Sequence, residues 1–168
     1  MSDITEVNTL LDSMVQSIQS ELQIRQIIDP LMIGIHTGGV WVAKALHQRL
    51  GLKDDLGTLN ISFYRDDFTR IGMHPQVQPS VLPFAVDDRH IILVDDVLHT
   101  GRTIRAALNE IFDYGRPASV MLAALVVRSG KELPVCADIA GTRLDLTEGQ
   151  HIKLTGPDPL SIELQAGK

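Results

Sequence analysis

Residues 91 to 105 read Ile91-Ile92-Leu93-Val94-Asp95-Asp96-Val97-Leu98-His99-Thr100-Gly101-Arg102-Thr103-Ile104-Arg105, and their reading decides the fold. Ile91 to Val94 is a short, continuous apolar run, the pattern of a strand buried on both faces of a parallel sheet. Asp95 and Asp96 stand where that strand is expected to end. Thr100, Gly101 and Thr103 then lead into a stretch with Ile104, Ala107, Leu108 and Ile111 at helical spacing. Strand, hydroxyl- and glycine-bearing turn, then helix is a phosphate-binding layout. The first N–H groups of a helix lack intrahelical acceptors and carry partial positive charge. A glycine lets the backbone close on an anion, and threonine hydroxyls add donors.

The paired carboxylates narrow the chemistry. A nucleoside triphosphate loop of the Gly-x-x-x-x-Gly-Lys-Ser/Thr type is absent. Two acids just ahead of a phosphate turn suit the hydroxyls of a ribose, or a magnesium ion bound on it. The plain structural alternative is a strand end bearing two solvated aspartates before a helix. Arg102 and Arg105 occupy the first helical turn, where the macrodipole disfavours a cation. An anionic ligand nearby, or simple exposure, accounts for both.

Outward from this stretch the chain alternates strands and helices. Leu10, Leu11, Met14, Val15, Ile18 and Leu22 predict an amphipathic helix over residues 6 to 27, ended by Asp29-Pro30. Leu31 to Ile35 predicts a buried strand. Thr37-Gly38-Gly39 turns it into a helix carrying Trp41, Val42, Ala45, Leu46 and Leu50, with Gly51 at its C-cap. Leu59, Ile61 and Phe63 alternate as a strand does. Residues 65 to 83 hold Pro75, Pro79 and Pro83 with no sustained period, so they read as a long functional loop. Val120 to Val127 predicts another buried strand, and Pro134 to Ile139 a further one. From Gly141 onward the glycines and prolines suggest loops with one short strand near Ile162 to Leu164. The expected fold is α/β: a mostly parallel sheet covered by helices on both faces, in one domain over residues 1 to 168. Ligands in such sheets bind beyond the carboxyl ends of the strands, which is where Thr37, Asp95 and Asp96 fall.

With 168 residues, 44% of them hydrophobic, the chain can build a substantial core and is not a disordered segment. No stretch approaches the roughly 18 to 20 apolar residues of a membrane span. The first residues lack the pattern of a signal peptide, and the one cysteine, Cys136, excludes an intramolecular disulfide. A cytoplasmic protein with no membrane partner is expected. A net charge of −6 gives no encouragement to nucleic-acid binding. The six histidines show no metal-ligand spacing. Cys136 has no base near it in sequence and reads as an inert thiol.

Several motifs together resemble a known family. Val94 to Thr103 resembles the motif by which type I phosphoribosyltransferases bind phosphoribosyl pyrophosphate (PRPP). Gly34-Ile35-His36-Thr37-Gly38-Gly39 is similar to that family's pyrophosphate loop. Tyr64-Arg65-Asp66-Asp67, Gly115-Arg116-Pro117-Ala118-Ser119 and Lys131-Glu132-Leu133-Pro134 resemble the branch of bifunctional pyrimidine operon regulators with uracil phosphoribosyltransferase activity. The match spans roughly residues 30 to 140.

This resemblance implies transfer of a phosphoribosyl group from PRPP to uracil, giving uridine monophosphate (UMP) and pyrophosphate. It casts Asp95 and Asp96 as the catalytic pair on the ribose. Val97, Leu98, His99, Thr100, Gly101, Arg102 and Thr103 would complete the PRPP site, and His36, Thr37, Gly38 and Gly39 the pyrophosphate loop. Tyr64, Arg65, Asp66 and Asp67 would belong to a flexible lid over residues 65 to 83. A base hood over residues 127 to 168 would begin with Val127 and Arg128. Mg²⁺ is the implied cofactor, held mainly through substrate near Asp95 and Asp96. A homodimer or higher homo-oligomer is implied as well.

The sequence departs from the branch at two places. The pyrophosphate loop, usually Lys-Thr-Arg-Gly, lacks its arginine at Gly38, so Gly38→Arg is expected to strengthen pyrophosphate handling and raise activity. Beside the hood an acid, a histidine and an arginine are replaced by Val127, Gly130 and Cys136. These departures keep open a PRPP- or nucleotide-sensing regulator without turnover. A purine phosphoribosyltransferase is the other alternative, though such enzymes more often carry Glu-Asp where this chain has Asp95-Asp96. Regulator members of the branch grip messenger RNA. Here the span from Ser2 to Ile24 has no Lys or Arg, so weak RNA binding is expected.

Overall fold

The structure is a computed structural model and describes residues 6–61 and 79–166. In chain order the elements are α1 (Val7–Ile24), β1 (Leu31–Ile35), α2 (Gly38–Leu50), β2 (Gly57–Leu59), β3 (His90–Leu98), α3 (Arg102–Tyr114), β4 (Ser119–Arg128), β5 (Ile139–Leu144), β6 (Gln150–Thr155) and β7 (Ser161–Ala166). The first five strands form one all-parallel sheet in the order β2-β1-β3-β4-β5. β6 and β7 form a separate antiparallel hairpin.

Alternation along the strands sorts side chains onto two faces. Met32, Ile92, Val94, Met121 and Ala123 pack with Leu10, Leu11, Met14 and Ile18 of α1 and with Val42, Ala43 and Leu46 of α2. Leu31, Ile33, Ile91, Leu93 and Leu122 pack on the other face with Ile104, Ala107 and Ile111 of α3. Burial on both faces explains why β1 and the middle of β3 read as unbroken apolar runs. On the first face the fit is tight. A Cβ built on Gly34 would fall 2.7 Å from the Cβ of Ala43, so the glycine lets α2 lie directly on β1.

Four expectations are corrected. β3 does not stop at Val94. It runs to Leu98, because Val97 and Leu98 still pair with Val126 and Val127 of β4, so both aspartates lie inside the strand. The strand expected at Pro134 to Ile139 starts only at Ile139. Before it, Asp138 grips β4 from the side: its backbone N–H donates to Leu122 O (2.9 Å), and its Oδ2 accepts the Leu122 N–H (2.8 Å). The alternation Leu59-Ile61-Phe63 yields a strand over Gly57–Leu59 only, and Phe63 lies outside the described residues. The C-terminal region holds two strands rather than one. Its Gly156-Pro157-Asp158-Pro159 segment, with both proline peptide bonds cis, is the turn between β6 and β7. Leu154 and Ile162 from that hairpin join the α1–α2 side of the core.

One buried polar group stands out. Glu110 of α3 is 9% exposed, and its Oε2 has no hydrogen-bond partner. Burial, reinforced by nearby Asp113, raises its pKa, and a hydrogen bond with Ser80 opposes part of that rise.

Candidate functional site

At the C-terminal ends of β1 and β3 a cavity of about 420 Å³ opens. From the loop after β1 come His36, Thr37 and Gly38; from β3, Asp95, Asp96 and Val97; from the first turn of α3, Thr103. Seven residues expected from sequence to share a site therefore do share one wall of space.

The two glycines after Thr37 explain how the walls come together. A Cβ on Gly38 would lie 2.7 Å from Asp96 Cγ and 3.1 Å from Asp96 Cβ. A Cβ on Gly39 would lie 2.9 Å from Val94 O and 3.1 Å from Asp95 Oδ1. Real Cβ atoms do not approach this closely, so a side chain at 39 would press on the backbone of β3 and one at 38 would displace the Asp96 carboxylate. The expectation that arginine at position 38 improves the loop meets this contact: its Cβ requires the Asp96 carboxylate to move. There is no room for its Cβ while Asp96 keeps its place.

Both carboxylates are held by local backbone. Asp95 Oδ1 accepts the N–H of Asp96 (2.9 Å), and Asp96 Oδ1 accepts the N–H of Val97 (2.8 Å). Asp95 is buried, 6% exposed, while Asp96 is half-buried. His36 sits between β1 and α2, joined to Thr37 by a cis peptide bond. Burial, with help from Lys44, lowers its imidazole pKa, so it is neutral at physiological pH and brings no positive charge to the loop.

The turn from Thr100 to Thr103 joins β3 to α3 through a glycine, as its sequence suggested. Gly101 takes a left-handed conformation (φ 98°), which a side chain would strain. Thr100 Oγ1 accepts the N–H of Arg102 (3.2 Å). The segment Lys131–Pro134 clamps this turn from outside: the N–H groups of Glu132 and Leu133 both donate to Thr100 O at 3.0 Å. Leu133 and Val135 lie so near Gly101 that a Cβ there would meet them at 3.3 and 3.2 Å. Arg102 turns outward and pairs with Glu132 (3.3 Å), so its place on the first helical turn reflects exposure and that ion pair.

A second, smaller cavity of about 130 Å³ lies beside the turn. Leu98 and His99 line it together with Val127 and Arg128, the two residues expected to begin the hood, and with Arg143. Arg128 is spent on backbone, donating to Ser129 O and Gln150 O (both 3.2 Å), and so ties β4 to β6. His99 packs on Gly130 so closely that a Cβ at 130 would stand 2.7 Å from its Nε2. The histidine missing at 130 is thus answered by one reaching the same spot from the phosphate turn. Burial and the charge of Arg128 lower the His99 pKa, with Glu132 opposing.

Sequence reasoning missed Trp41, Ile61, Ile152, Lys153 and Leu154 of the larger cavity. Trp41, an apolar position of α2, packs against the core as its spacing predicts and also stands half-buried at the cavity wall under Gly156 of the hairpin turn. Its place four residues after Thr37 was the available signal. Lys153 comes from β6, a strand hidden by the glycines and prolines around it. Tyr64, Arg65, Asp66 and Asp67, and residues 65 to 78 of the lid expected over 65 to 83, lie outside the described residues. Among the described residues no group of three or more His, Cys, Asp or Glu could hold a metal ion, and no helix is long and apolar enough to cross a membrane.

Comparison with known proteins agrees with this geometry. Residues 5–152 match the family model described as the phosphoribosyl transferase domain. The chain is similar to the bifunctional protein PyrR of Nitrosococcus oceani, 71% identical over 138 residues that cover 81% of this chain and 78% of that one. It is 55% identical over 154 residues to the bifunctional protein PyrR of Pseudomonas aeruginosa, covering 92% and 91%. Among solved structures it is similar in fold to a hypoxanthine-guanine phosphoribosyltransferase of Bacillus anthracis, with TM-score 0.67 and 12% identity over 86% and 84% of the chains. A Trypanosoma cruzi hypoxanthine phosphoribosyltransferase gives TM-score 0.64 and 19% identity over 83% and 74%.

Proposed function

The chain belongs to the phosphoribosyl transferase domain family, among the bifunctional PyrR proteins, and on that premise we propose that it transfers the phosphoribosyl group of PRPP to uracil, forming UMP and pyrophosphate. One observation supports the residue roles. A single cavity gathers Thr37 from a loop, Asp95 and Asp96 from β3 and Thr103 from the first turn of α3, so anion donors and carboxylates face the same space.

In this reaction the bond from ribose C1′ to the pyrophosphate oxygen breaks, and its electron pair leaves on the pyrophosphate. Uracil N1 bonds to C1′ and its proton is released to water. Positive charge builds on the ribose ring between those events. The first-turn N–H groups of α3, with the Thr100 and Thr103 hydroxyls, hold the 5′-phosphate. Asp95 and Asp96 accept from the ribose hydroxyls and put negative charge beside the developing cation. Their backbone hydrogen bonds orient them before substrate arrives, which is the condition for electrostatic stabilisation without reorganisation. The loop from His36 to Gly39 borders the leaving group.

Mg²⁺, when bound, neutralises part of the diphosphate charge. Asp95 and Asp96 are the hard oxygen donors on the cavity that would face it, with the ion held mainly through substrate. The base is assigned to the side of the smaller cavity, where Leu98, Val127, Val135 and Ala137 give apolar lining. Incubating the chain with PRPP, Mg²⁺ and labelled uracil and following UMP tests the proposal. UMP formation supports it. PRPP binding without any UMP favours a ligand-sensing regulator instead.

A further inference from the structure

The 420 Å³ cavity sets two carboxylates against a single Lys or Arg among its described lining residues, Lys153. We propose that Lys153 binds the diphosphate of the donor and the departing pyrophosphate, supplying from the hairpin the cation that the loop after β1 lacks. This assignment rests on reading the cavity as the PRPP site.

Three observations carry it. The loop cannot provide the charge. Gly38 and Gly39 are packed against Asp96, Val94 and Asp95 too closely for any side chain, and His36 is held neutral by burial. Pyrophosphate is strongly anionic, and beside Asp95 and Asp96 the Mg²⁺ that accompanies it neutralises only part of that charge, leaving a role for a protein cation on the same cavity.

Lys153 is also uncommitted. Arg25, Arg49, Arg89, Arg102 and Arg128 are each engaged with a carboxylate or a carbonyl. Lys153 makes no hydrogen bond or ion pair with any described residue, although Glu163 stands opposite it on β7.

Its backbone is nevertheless fixed. Leu154 is buried in the main core, Ile152 packs against that core, and the turn beyond them rests on Trp41. A flexible ammonium on a fixed strand can meet a phosphate as a point charge and follow it as it leaves.

The test uses Lys153→Met, which keeps the apolar stem, and Lys153→Arg, which keeps the charge. Binding of Mg²⁺-pyrophosphate is measured by calorimetry. The Michaelis constants for pyrophosphate and UMP are measured in the reverse reaction, and the melting temperature reports folding. The Met variant should melt like the wild type, bind pyrophosphate about tenfold or more weakly, and show the same loss in KM for pyrophosphate but not for UMP. The Arg variant should recover most of that loss. Equal pyrophosphate affinity in the folded Met variant would overturn the role of Lys153 and leave the reading of the cavity intact, as would an Arg variant no better than Met. A wild-type chain that binds neither PRPP nor pyrophosphate would overturn the reading of the cavity and this assignment together.

Discussion

Gly38 is seated against the carboxylate of Asp96, with the position of its missing Cβ 2.7 Å from Asp96 Cγ. The loop after β1 and the C-terminal part of β3 are in this way one packed unit. Any side chain at 38 must push Asp96 out of the geometry set by its bond to the Val97 N–H.

Gly38→Ala should therefore already lower transferase activity at least tenfold, and Gly38→Arg should not raise it. Overpacking of this kind costs about 1–3 kcal/mol, so a drop in melting temperature should accompany the loss. Steady-state kinetics and a thermal melt on both variants check this. A fully active Gly38→Arg enzyme would mean that the loop and Asp96 separate in solution.

Replacing Asp95 and Asp96 together by Asn removes charge with little change of volume. A ligand present at a hundred times its Kd stabilises a protein by about 2.7 kcal/mol. The PRPP-induced thermal shift with Mg²⁺ should fall to a small part of its wild-type value in the double variant. An undiminished shift would move the PRPP site away from these residues.

Gly130 has φ 109°, and His99 occupies the space where its side chain would go. Gly130→Ala should lose about 1–3 kcal/mol of stability from backbone strain alone. Restoring the branch's histidine there, Gly130→His, should be worse, because two imidazoles would compete for one place. Chemical denaturation of the two variants gives the ranking.

How much of this could be read beforehand varies along the chain. β1, α2, β3, α3 and β4 announce themselves because burial on two faces makes apolar runs and helical stripes. That His36, Thr37, Gly38, Asp95, Asp96, Val97 and Thr103 share a cavity was legible because a strand end, its carboxylates and the turn after it are local in sequence. Lys153 was not, since nothing near it marks a site and its role arises only when the hairpin folds back over Trp41. β6 was hidden by Gly149, Gly156 and Pro157, although His151-Ile152-Lys153-Leu154 does alternate as a strand should. The stretch from 134 to 138 misled in the other direction. Its apolar residues are spent on covering Gly101 and the phosphate turn, and its backbone bonds run to β4 and to its own loop rather than along a ladder.

Glu110 predicts a pH effect on stability. Its folded pKa is raised, chiefly by burial, so the native state keeps the proton to higher pH than the unfolded chain does. Stability contributed by the protonated form is complete below the unfolded value of about 4.5 and is lost as pH rises through the folded value. Glu110→Gln, the neutral isostere, should therefore stabilise the protein at pH 7 by about 1 kcal/mol, or about 2–4 °C in Tm. That gain should vanish near pH 4. A gain that is the same at both pH values would assign it to packing.

RNA binding should be weak. No Lys or Arg occurs from Ser2 to Ile24, and the cations bordering α1 are already engaged: Arg25 with Glu21 (3.0 Å) and Asp138 (3.1 Å), Arg49 with Asp12 and Asn8. Each phosphate contact forgone removes roughly 0.7–0.9 from the salt slope. Filter binding to a pyrimidine-gene leader transcript, with and without UMP, should show only low affinity at physiological salt. Tight, UMP-stimulated binding would place the RNA face elsewhere on the molecule.

The most direct test of the account is a competition among bases. Uracil, orotate, hypoxanthine, guanine and adenine are offered at equal concentration with limiting PRPP and Mg²⁺, and the nucleotides formed are separated and counted. The account predicts UMP as the product, with one pyrophosphate for each UMP. Predominant formation of a purine nucleotide, or of no nucleotide while PRPP still binds, would contradict it.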